Sequence, residues 1–398
     1  MLPGCKYNLS QLSEAEDQWH ATADCQIQEA HQATVSMSRC VISIAEVQSF
    51  IERCMTAVGT KPNHAKSLAE VLVAGDHRGH YSHGLNRMDM YVKDIESGIC
   101  AKDGEPVVLK ESVATALVDG MNLLGPVVGN FCMNLAMKKA KEVGIGWVVA
   151  RGSNHYGIAG YYSMRALKEN MIGMSFTNTS PLVVPTHAKT CTLGTNPLSV
   201  AAPGTDGDSF VLDMATSAVA LGKVELHERR GDSIPEGWGC DAQGNLTTDP
   251  KKVLNGGGLV PIGGNEATGG YKGYGLGMMV EVFCGILAGA KYSKNIRTWK
   301  VTDKVADLGQ CFVAINPENF ADGFNDRMSD LMSIQRQLDP ANSAAPVLAA
   351  GDPEKMNMKR CEELGGIPYH INVINYMNNC AQKIGVSQLL PCDKLTSS

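Results

Sequence analysis

Residues 76–87 read Asp76-His-Arg-Gly-His-Tyr-Ser-His-Gly-Leu-Asn-Arg87: three histidines, two arginines and a serine in twelve positions, just ahead of an apolar helical pattern. Histidine changes charge near neutral pH, and arginine offers an anion a planar fork of donors. With Ser82 as a helix N-cap, a residue type favoured there, Leu85, Met88, Val92 and Ile95 recur at spacings of 3, 4 and 3 and form one stripe. His83 and Arg87, four apart, then share a face, turned roughly opposite that stripe at about 100° per residue. The spacing predicts a helix that packs on its apolar side and presents His83 and Arg87 together. A merely solvated polar face is the plain alternative. His77, His80 and His83 beside Asp76 have a spacing zinc can use, but no His-Glu-x-x-His and no nearby Cys pair accompany them, so no metal is expected.

Outward from this stretch, Ser43-Ile-Ala-Glu46 is a capping box that opens a helix with Val47, Phe50, Ile51, Cys54, Met55 and Val58 on one side. Asn63 is the expected cap of a second helix carrying Leu68, Val71 and Leu72. Residues 43–98 thus read as a small helical unit ending near Gly98. From about 115 the texture changes. A helix is expected over 130–143, then strands at 147–150, 172–176, 198–202, 210–214 and 311–315, separated by Gly/Pro/Asn/Thr loops. Residues 276–290 form an apolar run with Glu281 inside it, too short to span a bilayer and expected to be a buried helix. Helical patterning returns after 354.

The 398 residues suffice for two or three domains, and 44% hydrophobic with 19% charged residues suits a globular protein with a sizeable core. A net charge of −6 without a basic run argues against nucleic acid and anionic membranes as partners. Thirteen cysteines without a Cys-x-x-Cys point to reduced thiols and a cytoplasmic protein. The first 40 residues show no apolar signal region and read as a loose extension.

Several loops carry candidate chemistry. Ser153-Asn-His155-Tyr-Gly157 follows a strand, a common place for site groups in α/β folds. Thr177-Asn178-Thr179 and Gly194-Thr195-Asn196-Pro197 suit backbone amides cradling an anion. Asp213, in Leu212-Asp-Met-Ala-Thr-Ser217, is placed to orient a histidine. Gly270-Tyr271-Lys272-Gly273 opens the apolar helix and offers a phosphate partner, and Gly351-Asp352-Pro-Glu354 is a turn suited to a ribose. No Gly-x-Gly-x-x-Gly, Gly-x-Ser-x-Gly or Walker motif occurs.

Together these segments resemble the type-2 malate/L-lactate dehydrogenase family over roughly 42–375. The resemblance rests on Asp76-x-Arg-Gly-His-x-Ser-His-Gly84, Ser153-Asn-His-Tyr-Gly157, Thr177-Asn-Thr179, Leu193-Gly-Thr-Asn-Pro197, Asp213-Met-Ala-Thr-Ser217, Thr247-Thr-Asp-Pro250 and Gly270-Tyr-Lys-Gly-Tyr-Gly-Leu276 in this order. It implies an α/β (α+β mixed-sheet) fold with a non-Rossmann NAD(P)-binding domain. The expected layout is a loose extension over 1–41, a helical substrate domain made of 42–121 plus 300–390, and the cofactor domain over 122–299. It implies a homodimer or dimer of dimers acting on a small anionic 2-hydroxy or 2-oxo acid with NAD or NADP, NAD slightly favoured. His83 would be the proton donor and acceptor, with Ser82 and Asp213 beside it. Arg87 would grip the carboxylate, with His155, Thr195 and Asn196 at the substrate. Ser209, Phe210, Val211, Leu212, Asp213, Met214, Ala215, Tyr271, Lys272, Ala350, Gly351, Asp352, Thr177 and Asn178 would contact the cofactor. Asp213 is expected to favour the imidazolium of His83. Two positions depart from the family pattern: Ala349-Ala-Gly-Asp352 stands where relatives often have Pro-Gly-Glu, and His227 where they carry a small residue.

A catalytically inactive dinucleotide-binding protein of the same fold is the alternative. A Ser82/His83 hydrolase fits poorly, since neighbours on a helix point about 100° apart.

Overall fold

A computed structural model describes residues 39–298, 301–302, 304–343 and 345–392. The expected N-terminal extension lies outside them up to residue 38. Its last residues are not loose: β1 (Arg39–Ile42) pairs antiparallel with Ile367–His370 from the far end of the chain, burying Val41 and Ile42.

Helix α1 (Ile44–Ala57) starts as its capping box dictates, with the Ser43 hydroxyl accepting the Glu46 N–H at 3.2 Å. Its apolar stripe of Val47, Phe50, Ile51, Cys54 and Met55 is buried against α2 (Pro62–His77). Lys61, not Asn63, is the N-cap of α2, because Pro62 at the first turn lacks the N–H that a helix leaves unpaired there anyway. α3 (Met88–Glu96) completes the helical unit.

Seven strands form the central sheet: β2 (Val107–Glu111), β3 (Thr115–Asp119), β4 (Ile145–Ser153), β5 (Ile172–Thr177), β6 (Leu198–Pro203), β7 (Ser209–Met214) and β8 (Leu308–Ile315), in spatial order β2-β3-β4-β8-β5-β6-β7. Only β3 and β4 run parallel, so the sheet is mixed. Helix α4 (Gly125–Val143) ends on Gly144 at φ 88°, a left-handed turn that feeds the chain directly into β4. α5 (Ala159–Leu167) packs on β5 and β6.

The stretches assigned to the helical domain at both ends also contribute to this sheet: β2 and β3 from the first, β8 from the second. β8 is buried at Leu308 through Ala314 and pairs on both sides. An apolar run of that kind is stable only as a central strand, whichever domain its neighbours in sequence join.

α6 (Leu221–Arg230) leads into a small three-stranded sheet of two-residue strands. There His227 lies edge-on to Trp238 at 5.5 Å and its Nδ1 is 2.8 Å from the Ser233 carbonyl, so the bulky residue has a built seat. α7 (Gly270–Glu281) and a following π-helical turn, Val282–Ile286, cover one face of the central sheet. This run is not wholly buried as expected. Val280 and Cys284 face the sheet, while Met278, Val282, Ile286 and Leu287 are 44–53% exposed. A single covering helix has only one face to bury.

α8 (Phe324–Arg336) and α9 (Asp352–Leu364) precede β9 (Ile367–His370) and α10 (Ile371–Lys383). No helix among the described residues is long and apolar enough to cross a membrane.

Candidate active site

One buried carboxylate shapes the 76–87 segment. Asp76, near the end of α2, is fully buried, and its Oδ2 accepts the Leu85 N–H and the Tyr369 hydroxyl, each at 2.7 Å. Burial pushes Asp76 up to about 7 against the pull of these two donors. Gly84 passes so close that a Cβ there would fall 1.9 Å from Asp76 Oδ1. The chain therefore makes two short 3-10 turns, Tyr81–His83 and Leu85–Arg87, and α3 begins only at Met88. Ser82 is not an N-cap, and His83 and Arg87 do not ride on one regular helix. Gly84→Ala is expected to cost about 3 kcal/mol by denaturant unfolding, as overpacking against a fixed neighbour does. Wild-type stability in that variant would contradict this packing.

Ser82 links the two functional side chains instead. Its carbonyl accepts the Arg87 Nε–H at 2.6 Å, and its hydroxyl lies 2.8 Å from His83 Nδ1. The 3-10 turn thus brings together the Ser82 and His83 side chains that a helical spacing would have pointed apart. His155, just past β4, lies nearly parallel to His83, ring centroids 5.9 Å apart. Its Nδ1 contacts the Tyr91 hydroxyl at 2.6 Å.

Desolvation, with Arg87 and His80 nearby, pushes the His83 imidazole down to about 4. Desolvation, with His83 and Arg87, pushes His155 down to about 3. Both rings are neutral at physiological pH. The expected support of a His83 imidazolium by Asp213 is not formed. Asp213 Oδ2 accepts the Gly160 N–H at 2.8 Å, and the basic side chains acting on its carboxylate are those of His80 and Arg78, not His83. Burial raises Asp213 above its ordinary range.

These groups open onto a cavity of about 760 Å³, a size suited to a small organic ligand. Ser82, His83, Arg87, His155, Thr177, Thr195, Asp213, Met214 and Ala215 line it, as do the first residues of α6. α6 has no side-chain N-cap, and a Cβ on Gly222 would lie 3.9 Å from Arg87 Nη2. Arg87 and the positive end of a helix therefore stand together, a pairing that favours an anion. Met214, Val219, Leu221, Ile296 and Leu308 add apolar wall. Apolar wall beside an anion-binding end suits a ligand that is partly apolar and carries an anionic group.

Other expected site residues lie elsewhere. Asn178 and Asn196 are fully buried, and both side-chain amides donate to the Glu281 carboxylate, at 3.0 and 3.2 Å. They brace α7 against the sheet and do not line the cavity. Ser209, Phe210, Val211 and Leu212 run away from it along β7, and Ala350 accepts the Val211 N–H there at 2.9 Å. Gly351 caps α9 at φ 101°, and Asp352 is tied to Arg336 at 2.7 Å instead of standing open to a ribose. Tyr271 and Lys272 are exposed at the start of α7, the ammonium 5.8 Å from the ring centroid.

Sequence reasoning missed Tyr91 and the α6 start. Tyr91 stands four residues beyond Arg87, the same spacing that linked His83 to Arg87. The sequence carries no comparable signal for α6, because the helix start functions through its backbone.

The sequence profile of the malate/L-lactate dehydrogenase family matches residues 42–378. The chain is 41% identical over 347 residues to a malate dehydrogenase of Pyrococcus abyssi, covering 86% of this chain and 95% of the relative. It is 32% identical over 322 residues to an NAD(+) ureidoglycolate dehydrogenase of Escherichia coli, covering 80% and 90%. The solved structure of a malate dehydrogenase from Pyrococcus horikoshii superposes with a TM-score of 0.82 at 38% identity, covering 88% of this chain and 97% of that one.

Proposed function

Because the chain belongs to the malate/L-lactate dehydrogenase family, we propose that it interconverts a 2-hydroxy acid and a 2-oxo acid with NAD or NADP at the His83/Arg87 cavity. NAD is slightly favoured, as the name of the ureidoglycolate relative suggests. The observation that carries the reading is Ser82 holding Arg87 by its carbonyl and contacting His83 by its hydroxyl, which sets a carboxylate clamp and a proton-transfer group in one wall.

The outer nitrogens of Arg87 hold the substrate carboxylate as a charge-assisted pair, and the α6 N-terminus adds partial positive charge. Neutral His83 takes the hydroxyl proton during oxidation and returns it to the C2 oxygen during reduction. The nicotinamide, when bound, accepts or supplies the hydride. The apolar wall of Met214, Val219 and Leu308 keeps water from the reacting carbon.

The depressed His83 pKa sets the pH dependence. A group at about 4 is already unprotonated at pH 6, so kcat/KM for hydroxy-acid oxidation should show no acid limb from this group between pH 8 and 6. Reduction consumes a proton, so its kcat/KM should fall about tenfold per pH unit above the free-enzyme pKa. Initial rates in both directions check this, and an acid limb near 6.5 that vanishes in His83→Gln would refute it.

A panel of 2-oxo acids with NADH and NADPH, followed by nicotinamide absorbance, tests the function. Turnover of at least one acid is expected. Cofactor binding by calorimetry with no turnover on any of them would favour the inactive binding protein. The non-Rossmann cofactor domain, the helical domain built from both chain ends and a cytoplasmic location belong to the same reading. So does assembly as a homodimer or dimer of dimers, which the exposed strip of Met278, Val282, Ile286 and Leu287 supports.

A further inference from the structure

The two stacked histidines differ in what holds their inner nitrogens. His83 Nδ1 faces the Ser82 hydroxyl, a group that can donate or accept. Either protonation state at Nδ1 is satisfied, so His83 can gain and lose a proton at its other nitrogen without breaking the contact.

His155 is held differently. Its Nδ1 is approached by the Tyr91 hydroxyl at 2.6 Å and by the Gly157 N–H at 3.3 Å. A backbone N–H only donates, so Nδ1 must be the acceptor. Tyr91 is buried on α3, and its hydroxyl, which can donate or accept, must donate to a nitrogen that already accepts the Gly157 N–H. Two donors on one nitrogen require a lone pair there. The ring proton of neutral His155 then sits on Nε2.

We infer that Tyr91 is a positioning residue: with the Gly157 N–H it locks His155 as the neutral Nε2–H tautomer, making it a permanent hydrogen-bond donor to the substrate's C2 oxygen, while His83 alone exchanges the proton. This division rests on the dehydrogenase reading for its substrate but not for its tautomer. A neutral imidazole that donates stabilises a developing alkoxide without adding a mobile proton. Gly157 has φ 80°, and a Cβ there would fall 2.2 Å from Val71 Cγ1, so the backbone that delivers the second donor is itself fixed by packing against α2.

The test uses the full chain labelled with nitrogen-15 histidine. In the wild type, NMR should show His155 with an unprotonated Nδ1 and a protonated Nε2 throughout pH 6–8. In Tyr91→Phe, which keeps the ring, the Nδ1 signal should move towards a tautomer mixture. kcat for 2-oxo acid reduction should fall about tenfold, with KM for the acid changing less than threefold. His155→Gln, whose side-chain amide can still donate near the Nε2 position, should retain more kcat than His155→Leu. A protonated Nδ1 in the wild type overturns the inference. So does an unchanged kcat in a Tyr91→Phe protein whose tautomer has shifted. The tautomer signature needs no substrate, so a protein that shows it yet turns over no 2-hydroxy or 2-oxo acid would sink the dehydrogenase reading and leave the Tyr91 lock standing.

Discussion

His83→Ala is expected to lower kcat/KM a hundred- to ten-thousand-fold in both directions, the range that a positioned acid–base group contributes. Cofactor affinity should stay near wild type, because the ring stands at the Ser82 end of the wall beside Arg87 and His155. The pH slope of reduction should flatten in the residual activity, since no side chain then relays the proton. Stopped-flow hydride transfer with a good substrate, alongside calorimetric cofactor binding, separates the two effects. Full activity in His83→Ala would remove the assignment altogether.

Arg87→Lys should act mainly on the acid. The guanidinium gives its Nε–H to the Ser82 carbonyl at 2.6 Å and lines the cavity. A lysine ammonium cannot span both tasks with a planar fork. Losing one charge-assisted hydrogen bond costs about 1.5–3 kcal/mol, so KM for the acid should rise roughly ten- to a hundred-fold. The Ser82 backbone also loses its anchor, so kcat should fall by a smaller factor. A variant with unchanged KM and reduced kcat would show that Arg87 does not hold the carboxylate.

Much of the fold was legible because its signals are local. The Ser43 capping box, the α1 stripe and the strand at Trp147–Ala150 need only nearest neighbours to be read, and each stands where its pattern puts it. The 76–87 stretch was legible in composition but not in conformation. Its apolar spacing is helical, yet Asp76, accepting from Leu85 and from Tyr369 almost three hundred residues away, bends it into two 3-10 turns. Asn178 and Asn196 sat in loops that looked open to a ligand. Glu281, read only as a charge inside an apolar run, turned out to be their partner.

What the sequence by itself determined was the inventory and order of the chemistry: a histidine, an arginine and a serine in one short stretch, a second histidine after a strand, and no Rossmann fingerprint. The tertiary structure decided which of these groups meet and in what protonation state. His83 and His155 are neutral because the cavity wall strips water from them and sets Arg87 beside them. Asp213 serves Gly160 instead of His83 because α5 packs over the end of β7. Desolvation and hydrogen-bond direction depend on which distant segments close over a side chain, and no pattern of nearest neighbours contains that.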